Sequence, residues 1–380
     1  MTELYLIRHG EAEGNLYRRI HGWTDGALTE LGRKQAQLLA ARFQDVKLDA
    51  VYSSDLSRAR ETAQPLAKAQ GRRLRIRRDL REVNMGRWED QCWGWAARFD
   101  GEQYDRLNQD PATWQVPGCE RYADSLSRMR AALGEIAKKH PNGRVAVVSH
   151  GSAIRILLAD LLGYPSHEIR RVPYCDNTAV ARVTAGPEGL TLHEYNDNAH
   201  LPAALSAFHR DTWWQSEDAR DGRDLYFLPM DVRSASGGET YLRRYRETWI
   251  ASHGTDLGFT GIYLEKARAS AAQDPWTVME VWESDRPVGM LELAPRQGAA
   301  EGAGHIALLF LEESWRRRGL GVQLLGQAIS YYRGKGRRYL RLRVADTNLH
   351  ALRFYREWGF ETLDTEQGAL GETLVMTKNI

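Results

Sequence analysis

The chain has 380 residues, which is longer than most single domains, so two domains are expected. Its formal charge of +2 is close to balance and gives no argument for binding nucleic acid or an anionic membrane. Three cysteines are too few and too scattered for a disulfide framework or a thiolate metal site, and no metal is expected. Because no membrane-length apolar run and no N-terminal leader are present, the expected location is the cytoplasm.

The first half of the chain alternates strand-like and helix-like patterns, which predicts an α/β layer fold. After Thr29, which suits an N-cap, apolar residues recur at helical spacing and predict a helix. Residues 55–69 predict another helix, with a kink at Pro65. Three short apolar runs predict strands: residues 4–8, 50–54 and 145–150.

A charge-dense segment at residues 216–224 is poor in apolar side chains and predicts a linker. We therefore expect three parts: a first domain over 1–205, a linker over 206–223 and a second domain over 224–380. The second domain opens with helical periodicity at Leu242, Tyr245 and Trp249.

The rest of the second domain predicts a mixture of strands and helices. Two strand-like runs, "WTVMEVWE" and "PVGMLELA", are joined by "ESDR", which indicates a hairpin. A further apolar strand then enters a glycine-rich turn and a helix with Val322, Leu325, Ile329 and Tyr332 on one face. "NLHALRFYREWGFE" predicts a short helix that ends at Gly359.

Polar side chains follow the predicted strands of the first domain, where α/β sheets gather their ligands. The first strand leads to Arg8 and His9, and the third leads to His150. Arg58 lies in the first turn of the helix after the second strand, and "LREVNMGRWE" supplies Glu82. Such a cluster suits a phosphoryl group, because arginine forks match its oxygens and a neutral imidazole can attack phosphorus. A carboxyl group kept protonated by burial can protonate the leaving oxygen.

Four segments in order, "LIRHGEAEGN", "SSDLSRARETA", "LREVNMGRWE" and "VVSHG", resemble the motifs of the histidine phosphatase superfamily, which includes the cofactor-dependent phosphoglycerate mutases. The resemblance covers about residues 1–201 and implies a three-layer α/β/α fold with a mostly parallel sheet. It also implies that His9 is the nucleophile that becomes phosphohistidine and that Glu82 is the proton donor. The remaining residues implied at the phosphoryl group are Arg8, Asn15, Arg58, His150 and Gly151. A metal site at the two histidines is disfavoured, because the arginines beside them would repel a cation.

The cap segment, residues 90–114, bears on the choice between hydrolysis and mutase chemistry. It carries five acids against Arg98 and Arg106, which would repel a second anionic group and favours hydrolysis. Trp88 and Trp93 lie in or beside this cap, together with Trp95 and Trp114. Two interpretations of these tryptophans stay open: they form core packing, or they line a pocket for an apolar, aromatic or sugar-like leaving group.

In the second domain, "SWRRRGLGVQLL" follows an apolar strand and opens a helix. Gly319 and Gly321 permit a tight turn whose backbone N–H groups point at one place, so an anion such as a pyrophosphate is expected there.

This segment and "NLHALRFYREWGFE" resemble the GNAT family of acetyl-CoA-dependent N-acetyltransferases over about residues 224–380, which implies an α+β fold with a mixed sheet. By that resemblance Tyr355 protonates the departing thiolate. The residues implied in acetyl-CoA binding are Leu311, Arg316, Arg317, Arg318, Gly319, Leu320, Gly321, Val322 and Asn348. The strand "HIALLFLE" offers only His305 and Glu312 as bases, so Glu292 is the candidate; alternatively, the amine arrives neutral or loses its proton through water.

The expected function is therefore a bifunctional enzyme, a phosphomonoesterase fused to an N-acetyltransferase that uses acetyl-CoA. Its partners are small-molecule phosphomonoesters and amines, with no nucleic acid and no membrane; a homo-oligomer is left open. One molecule carrying both a phosphate and an amine would give the fusion a purpose. Two alternatives stay open: a phosphoglycerate-type mutase with a coenzyme A-binding regulatory module, and a non-catalytic scaffold.

Overall fold

The computed structural model describes residues 1–210, 224–368 and 370–380. These residues separate into two compact units, Met1–Asp221 and Gly222–Ile380. Of the predicted linker, residues 207–210 belong to a short helix, and residues 211–223 lie outside the described residues. None of the described helices has the length and apolar character needed to cross a membrane.

The first unit is built on a six-stranded sheet whose apolar strands are buried on both faces. In spatial order the strands are β3 (Leu74–Ile76), β2 (Ala50–Ser53), β4 (Arg144–Ser149), β1 (Thr2–Arg8), β5 (Val180–Gly186) and β6 (Gly189–Asp197). The first four are parallel to one another; β5 pairs antiparallel with β1, and β6 pairs antiparallel with β5. The predicted strands at residues 4–8, 50–54 and 145–150 are thus β1, β2 and β4.

Helices cover both faces of this sheet. On one face α2 (Glu30–Arg42) and α3 (Ser57–Ala69) bury their apolar sides against β1, β2 and β4. On the other face α6 (Tyr122–Lys139) and α7 (Gly151–Leu161) do the same. Thr29 caps α2 as predicted, because its hydroxyl accepts from the Gly32 N–H at 3.0 Å, and α3 continues through Pro65. The three-layer prediction is confirmed.

Shorter helices complete the first unit: α1 (Glu13–Leu16), α4 (Trp93–Phe99), α5 (Gly101–Gln109) and α8 (Ala207–Arg210). The cap has its own apolar core, in which Trp88, Tyr104, Trp114 and Val116 are buried together.

The second unit is built on a seven-stranded sheet. In spatial order its strands are β12 (Glu361–Gly368), β13 (Gly371–Asn379), β11 (Tyr339–Ala345), β10 (Ala303–Leu311), β9 (Arg286–Leu293), β8 (Val278–Glu283) and β7 (Leu225–Pro229). Only β10 and β11 pair in parallel among these strands, so the sheet is mixed, and the fold prediction is confirmed. β8 and β9 form the predicted hairpin.

Four helices pack on this sheet: α9 (Ala235–His253), α10 (Ile262–Ala271), α11 (Gly321–Gly334) and α12 (Leu349–Glu357). Tyr241 of α9 and Leu264 of α10 are buried against Met290, Leu308 and Phe310 of the sheet.

The central strands part halfway along their length. The pairing of β10 with β11 ends at Ile306 and Leu342, and the register of β10 against β9 shifts between Ile306 and Leu308. Beyond this point β10 and β11 share no ladder, so the backbone of the last residues of β10 is available to a ligand lying between the strands.

Candidate active sites

His9 follows β1 directly and is buried. Its Nδ1 lies 2.7 Å from the Gly10 carbonyl oxygen. Because a carbonyl only accepts, Nδ1 carries the proton and Nε2 keeps its lone pair. Burial, together with the charges of Arg58 and Arg8, holds the pKa of His9 well below its ordinary value. His9 is therefore a neutral imidazole at neutral pH, which is the form that can attack an electrophile.

His150 lies at the N-cap of α7, with its ring centroid 5.2 Å from that of His9. Burial and the nearby Arg58 also hold its pKa well below the ordinary value. Within the described residues both ring nitrogens of His150 and the Nε of Arg8 are buried without a hydrogen bond. Such buried polar atoms are rare in folded proteins, and an oxyanion at this point would satisfy them.

Two arginines flank the imidazoles. The guanidinium of Arg58 is buried and held by the carbonyl oxygens of Thr24, at 2.9 Å, and Gly22, at 2.7 Å. Burial lowers the pKa of Arg58 to about 10, so the group still carries its charge at neutral pH. Arg8 donates to the Cys175 carbonyl at 2.5 Å. A Cβ on Gly151 would lie 3.3 Å from the Arg8 Nε, so a glycine there leaves room for this close approach.

Glu82 is buried beside the start of α7. Its carboxylate accepts from the backbone N–H groups of Val83 at 2.9 Å, Ser152 at 3.0 Å and Ala153 at 2.8 Å. In this state Glu82 is a hydrogen-bond acceptor at a helix N-terminus. To act as the predicted proton donor it must first take a proton, after which its oxygens can still accept these bonds. Asn15 is also engaged in part, because its Oδ1 accepts from the Ala12 N–H at 3.0 Å.

Arg128, which the sequence analysis missed, holds the segment that carries Glu82. Its guanidinium donates to the carbonyl oxygens of Arg81 at 2.6 Å and Glu82 at 3.0 Å, and it pairs with Glu120 at 2.5 Å. The indole of Trp23 donates to the same Glu82 carbonyl at 2.9 Å. An arginine on the inner side of an amphipathic helix was the available signal, but the Arg81 and Glu82 carbonyls lie 47 and 46 residues away in sequence.

The cap corrects one expectation about the tryptophans. Trp88 is 0% exposed, packs 5.8 Å from Trp114, and donates from Nε1 to Asp100 at 2.9 Å. It is core packing and presents no surface to a ligand. Trp93 is half-buried and lies edge-on to Tyr104 at 6.2 Å, so the interpretation as a pocket residue stays open for Trp93.

The charge of the cap also differs from the expectation. Three of its acids are paired with arginines: Asp90 with Arg19 at 2.7 Å, Asp100 with Arg87 at 2.5 Å and Glu102 with Arg106 at 2.6 Å. The predicted repulsion of anions is therefore weaker than a count of acids suggests. By the same pairing, Arg87 and Arg106 are committed to cap acids and not to a second phosphate.

In the second unit, the glycine-rich turn has the backbone that was expected. Arg317 and Gly319 have φ of +59° and +74°, and α11 begins at Gly321. Leu320 and Val322 are buried and fix the turn to the fold. The free N–H groups at the start of α11 suit an anion such as a pyrophosphate.

The arginines of this turn do not converge on that position. Arg316 donates to the Leu311 carbonyl at 2.7 Å and pairs with Glu247 of α9 at 2.6 Å, so its guanidinium faces away from the turn. The carbonyl of Leu311 is occupied by the same bond. Arg318 lies over the ring of Trp315 at 4.8 Å. The side chain of Arg317 is exposed, so binding of the pyrophosphate by Arg317, by Arg318 and by the backbone N–H groups of the turn stays a prediction.

Asn348 and Tyr355 lie on α12 or at its start. Asn348 is the N-cap: its Oδ1 accepts from the Ala351 N–H at 3.1 Å, and its Nδ2 donates to Ser252 at 3.1 Å. Each end of the amide keeps a further hydrogen-bonding position, so the contact with the pantetheine arm stays a prediction. Tyr355 is buried, and burial raises its pKa, so its phenol keeps the proton that an acid must donate.

Of the candidate bases, Glu292 has the most suitable surroundings. It is buried, and its Oε2 accepts from the Tyr241 hydroxyl at 2.8 Å. Burial raises the pKa of Glu292 to about 7. By contrast, Glu312 is held by Arg243 and Arg244, and the His305 Nε2 accepts from Arg343 at 3.0 Å.

Comparisons with known proteins agree with the two-unit architecture. The family model of the histidine phosphatase superfamily (branch 1) matches residues 4–198, and that of the acetyltransferase (GNAT) family matches residues 239–360. A probable phosphoglycerate mutase GpmB of Erwinia tasmaniensis is 35% identical over 183 residues, which are 48% of this chain and 85% of the relative. Its Yersinia pestis namesake is 33% identical over 206 residues, covering 53% and 95% of the two chains. The solved structure of Bacillus stearothermophilus YhfR is 31% identical, covers 53% of this chain and 99% of its own, and has a TM-score of 0.51.

The matches confirm the predicted fusion of two enzyme domains, and they argue against the scaffold alternative because both families are enzymatic. The chain belongs to the histidine phosphatase superfamily, and its second unit is a GNAT acetyltransferase domain.

Proposed function

We propose that the chain is a bifunctional enzyme that hydrolyses a phosphomonoester and acetylates an amine. The observation that carries the first activity is the hydrogen bond from His9 Nδ1 to Gly10, since it leaves Nε2 unprotonated beside His150 and two arginines. The second activity is carried by the turn that opens α11, next to the point where β10 and β11 part.

In the phosphatase unit, His9 Nε2 forms a bond to phosphorus while the bond to the ester oxygen breaks. Arg8, Arg58 and His150 stabilise the charge on the phosphoryl oxygens during this transfer. The leaving oxygen takes a proton, for which Glu82 is our candidate donor after it has been protonated. Water then attacks the phosphohistidine, and phosphate leaves with His9 restored.

The test of the first activity is acid-labile phosphate on His9. Wild type quenched during turnover of a phosphomonoester should carry phosphate that survives alkali and is lost in acid. His9→Ala should lose both the label and at least about 10³-fold in kcat, because it lacks the nucleophile. The control is His167→Ala, an exposed histidine that should keep both. Full activity in His9→Ala would refute the assignment.

A mutase is the second candidate, because the relatives are named as probable phosphoglycerate mutases. We favour hydrolysis because Arg87 and Arg106 are paired with cap acids, which leaves them unsuited to retaining a second anionic group. Phosphate release from simple phosphomonoesters without isomerisation of phosphoglycerates is expected. Isomerisation faster than phosphate release would reverse this choice.

In the acetyltransferase unit, acetyl-CoA is the acyl donor, with its pyrophosphate on the backbone N–H groups of residues 317–322. The amine nitrogen bonds to the thioester carbonyl carbon, the C–S bond breaks, and the thiolate takes its proton from Tyr355. The amine loses a proton to Glu292 or to water. Tyr355→Phe should lower kcat for acetyl transfer by about 10²-fold, because general acid catalysis is lost.

The matched control for Tyr355 is Tyr331→Phe, since the Tyr331 hydroxyl lies on α11 and donates to Asp274 at 2.9 Å, outside the acyl site. It should keep acetyl transfer.

We also propose that both units act in the cytoplasm on one small molecule that carries a phosphate and an amine. Phosphatase rates on phosphorylated amines no higher than on neutral phosphomonoesters would count against this shared substrate.

A further inference from the structure

Glu292 lies at the point where the acyl group of acetyl-CoA would be presented. It pairs with Leu308, the first residue of β10 after the register shift, and β10 leaves β11 at Ile306. Its side chain faces α9, as the bond from Tyr241 shows. Only its Oε2 makes a hydrogen bond within the described residues, so Oε1 is left to face a ligand.

Four half-buried aromatic rings from α9, α10 and the loop between them lie next to Tyr241. They belong to Tyr245, Trp249, Phe259 and Tyr263, and we call them the ring cluster. Tyr245 stacks on Tyr263 with centroids 4.4 Å apart, and Tyr263 stacks on Phe259 at 5.9 Å. Trp249 lies 5.9 Å from Tyr263. The cluster is joined to Glu292 through Tyr241, whose hydroxyl also lies 3.2 Å from the Tyr263 carbonyl.

Large apolar residues close in sequence to the ring cluster are exposed. Ile250 is 42% exposed, Leu257 69% and Ile262 54%. Together with the half-buried rings, they leave apolar area on α9, α10 and the loop between them that a ligand can cover.

The arginines beside the ring cluster leave little to bind an anionic ligand. In the described part of α9, the arginines are paired: Arg243 and Arg244 with Glu312, and Arg246 with Asp256. No arginine fork is thus left to hold a phosphate or carboxylate there. The Lys266 Nζ lies 6.0 Å from the Tyr263 ring centroid, so a cationic acceptor must reach the rings from another side, because Lys266 would repel it.

We propose that the acetyl acceptor is a primary amine on an apolar, aromatic-sized body, which packs on the ring cluster and places its nitrogen at Glu292. This inference rests on the proposed acetyltransferase function. The aromatic rings supply apolar contact and attract the cationic form of the amine, as ring faces do. Glu292 Oε1 then takes one proton from the ammonium, and the freed lone pair bonds to the thioester carbon while the C–S bond breaks. Tyr355 protonates the leaving thiolate, and the second proton of the nitrogen leaves to water.

The first test compares two primary amines with acetyl-CoA and the full chain. Phenylethylamine should be acetylated with a kcat/KM about 10-fold or more above that of ethanolamine, because only the former packs on the rings. Tyr263→Leu should raise KM for phenylethylamine about 10-fold and leave ethanolamine unchanged. The control is Trp276→Leu, which removes a 42% exposed aromatic ring outside the cluster and should change neither amine.

Calorimetric titration of phenylethylamine into the coenzyme A-bound protein separates this inference from the proposed function. Binding that Tyr263→Leu weakens, without acetylation of any amine, would keep the site and refute the activity. Acetylation of ethanolamine without binding of phenylethylamine would refute the site and keep the activity. If Tyr263→Leu lowers kcat/KM equally for both amines, the ring of Tyr263 serves only to pack the fold. If the variant loses self-association while its amine preference is unchanged, the rings bind a second copy of the chain. Either result overturns the inference.

Discussion

The two buried imidazoles of the phosphatase unit have opposite consequences for catalysis and for folding. Burial and Arg58 hold the pKa of both His9 and His150 well below their ordinary values. The neutral form therefore persists in the folded protein as pH falls. In the unfolded chain each histidine binds a proton near pH 6.5, so acid favours unfolding.

We predict that phosphatase kcat/KM, corrected for the titration of the substrate phosphate at about pH 6, shows no further titration near pH 6.5, because His9 stays unprotonated. Over the same range the free energy of unfolding should fall by about 1 kcal/mol for each such histidine between pH 6.5 and 5.5. Urea titrations at each pH measure the second quantity, and initial rates measure the first. His150→Asn should reduce the dependence of the free energy of unfolding on pH by the contribution of one histidine. A half-loss of the corrected kcat/KM near pH 6.5 would contradict the first expectation.

Arg128 should act on the rate through the position of Glu82. Arg128→Ala removes the bonds to the Arg81 and Glu82 carbonyls, and a shift of about 1 Å at a catalytic group can cost about 10²-fold. We therefore expect a loss of about 10- to 100-fold in kcat, with KM changed less. The control on the same helix is Arg130→Ala, which loses only an exposed pair with Asp160. If the two variants have equal kcat, Arg128 does not position Glu82.

Motifs at strand ends were sufficient to predict that His9 and His150 lie close together, because β1 and β4 are neighbours and parallel strands end at one edge. The hydrogen-bond partners of individual side chains were not predictable. Trp88 bonds to Asp100, Arg316 to Glu247 and Asn348 to Ser252. These partners come from separate elements, and no local pattern brings them together before the chain folds.

At the scale of elements, periodicity was most reliable where one face of a helix or strand is buried. α2, α11 and the β8–β9 hairpin follow their apolar patterns, because a change of register would expose those side chains. The point where β10 leaves β11 was not predictable. It depends on a register shift against β9 that the apolar run of β10 does not encode.

The turn before α11 offers a test of this element as the coenzyme A site. Gly319→Ala places a Cβ in open space at φ +74°, so its cost is conformational, about 1–2 kcal/mol. If the turn must keep this shape to bind pyrophosphate, the dissociation constant of coenzyme A should rise about 5- to 30-fold. The control is Gly334→Ala at the end of α11, which also meets open space. Unchanged affinity in Gly319→Ala, measured by calorimetry, would place the pyrophosphate elsewhere.

At the scale of the whole molecule, tethering alone does not explain the fusion. A small product diffuses away far faster than typical turnover of about 1–10³ s⁻¹, so proximity adds little unless the product is held. The residues that we propose for each reaction moreover belong to one unit: His9, Glu82 and His150 to the first, Glu292 and Tyr355 to the second. We therefore expect each activity to survive loss of the other, as in His9→Ala and Tyr355→Phe.

The first unit should nevertheless be cut after residue 210 and not after residue 205. Asp176 is completely buried, and two of its partners lie beyond that predicted boundary: the Ser206 hydroxyl at 2.6 Å and the Ala207 N–H at 3.0 Å. Its neighbour Asn177 donates to the His9 carbonyl at 3.0 Å, so the same loop supports the nucleophile.

A fragment of residues 1–205 loses both partners and leaves a buried carboxylate undersatisfied, at a cost of about 1–3 kcal/mol. The matched fragment of residues 1–210 keeps them. We expect the shorter fragment to unfold at lower urea concentration and to lose phosphatase activity at temperatures where the longer one is active. Ser206→Ala in the longer fragment should reproduce part of the loss. Equal urea midpoints for the two fragments would show that Asp176 is satisfied by Asn177 and Asn198 alone, and that the unit closes at residue 205.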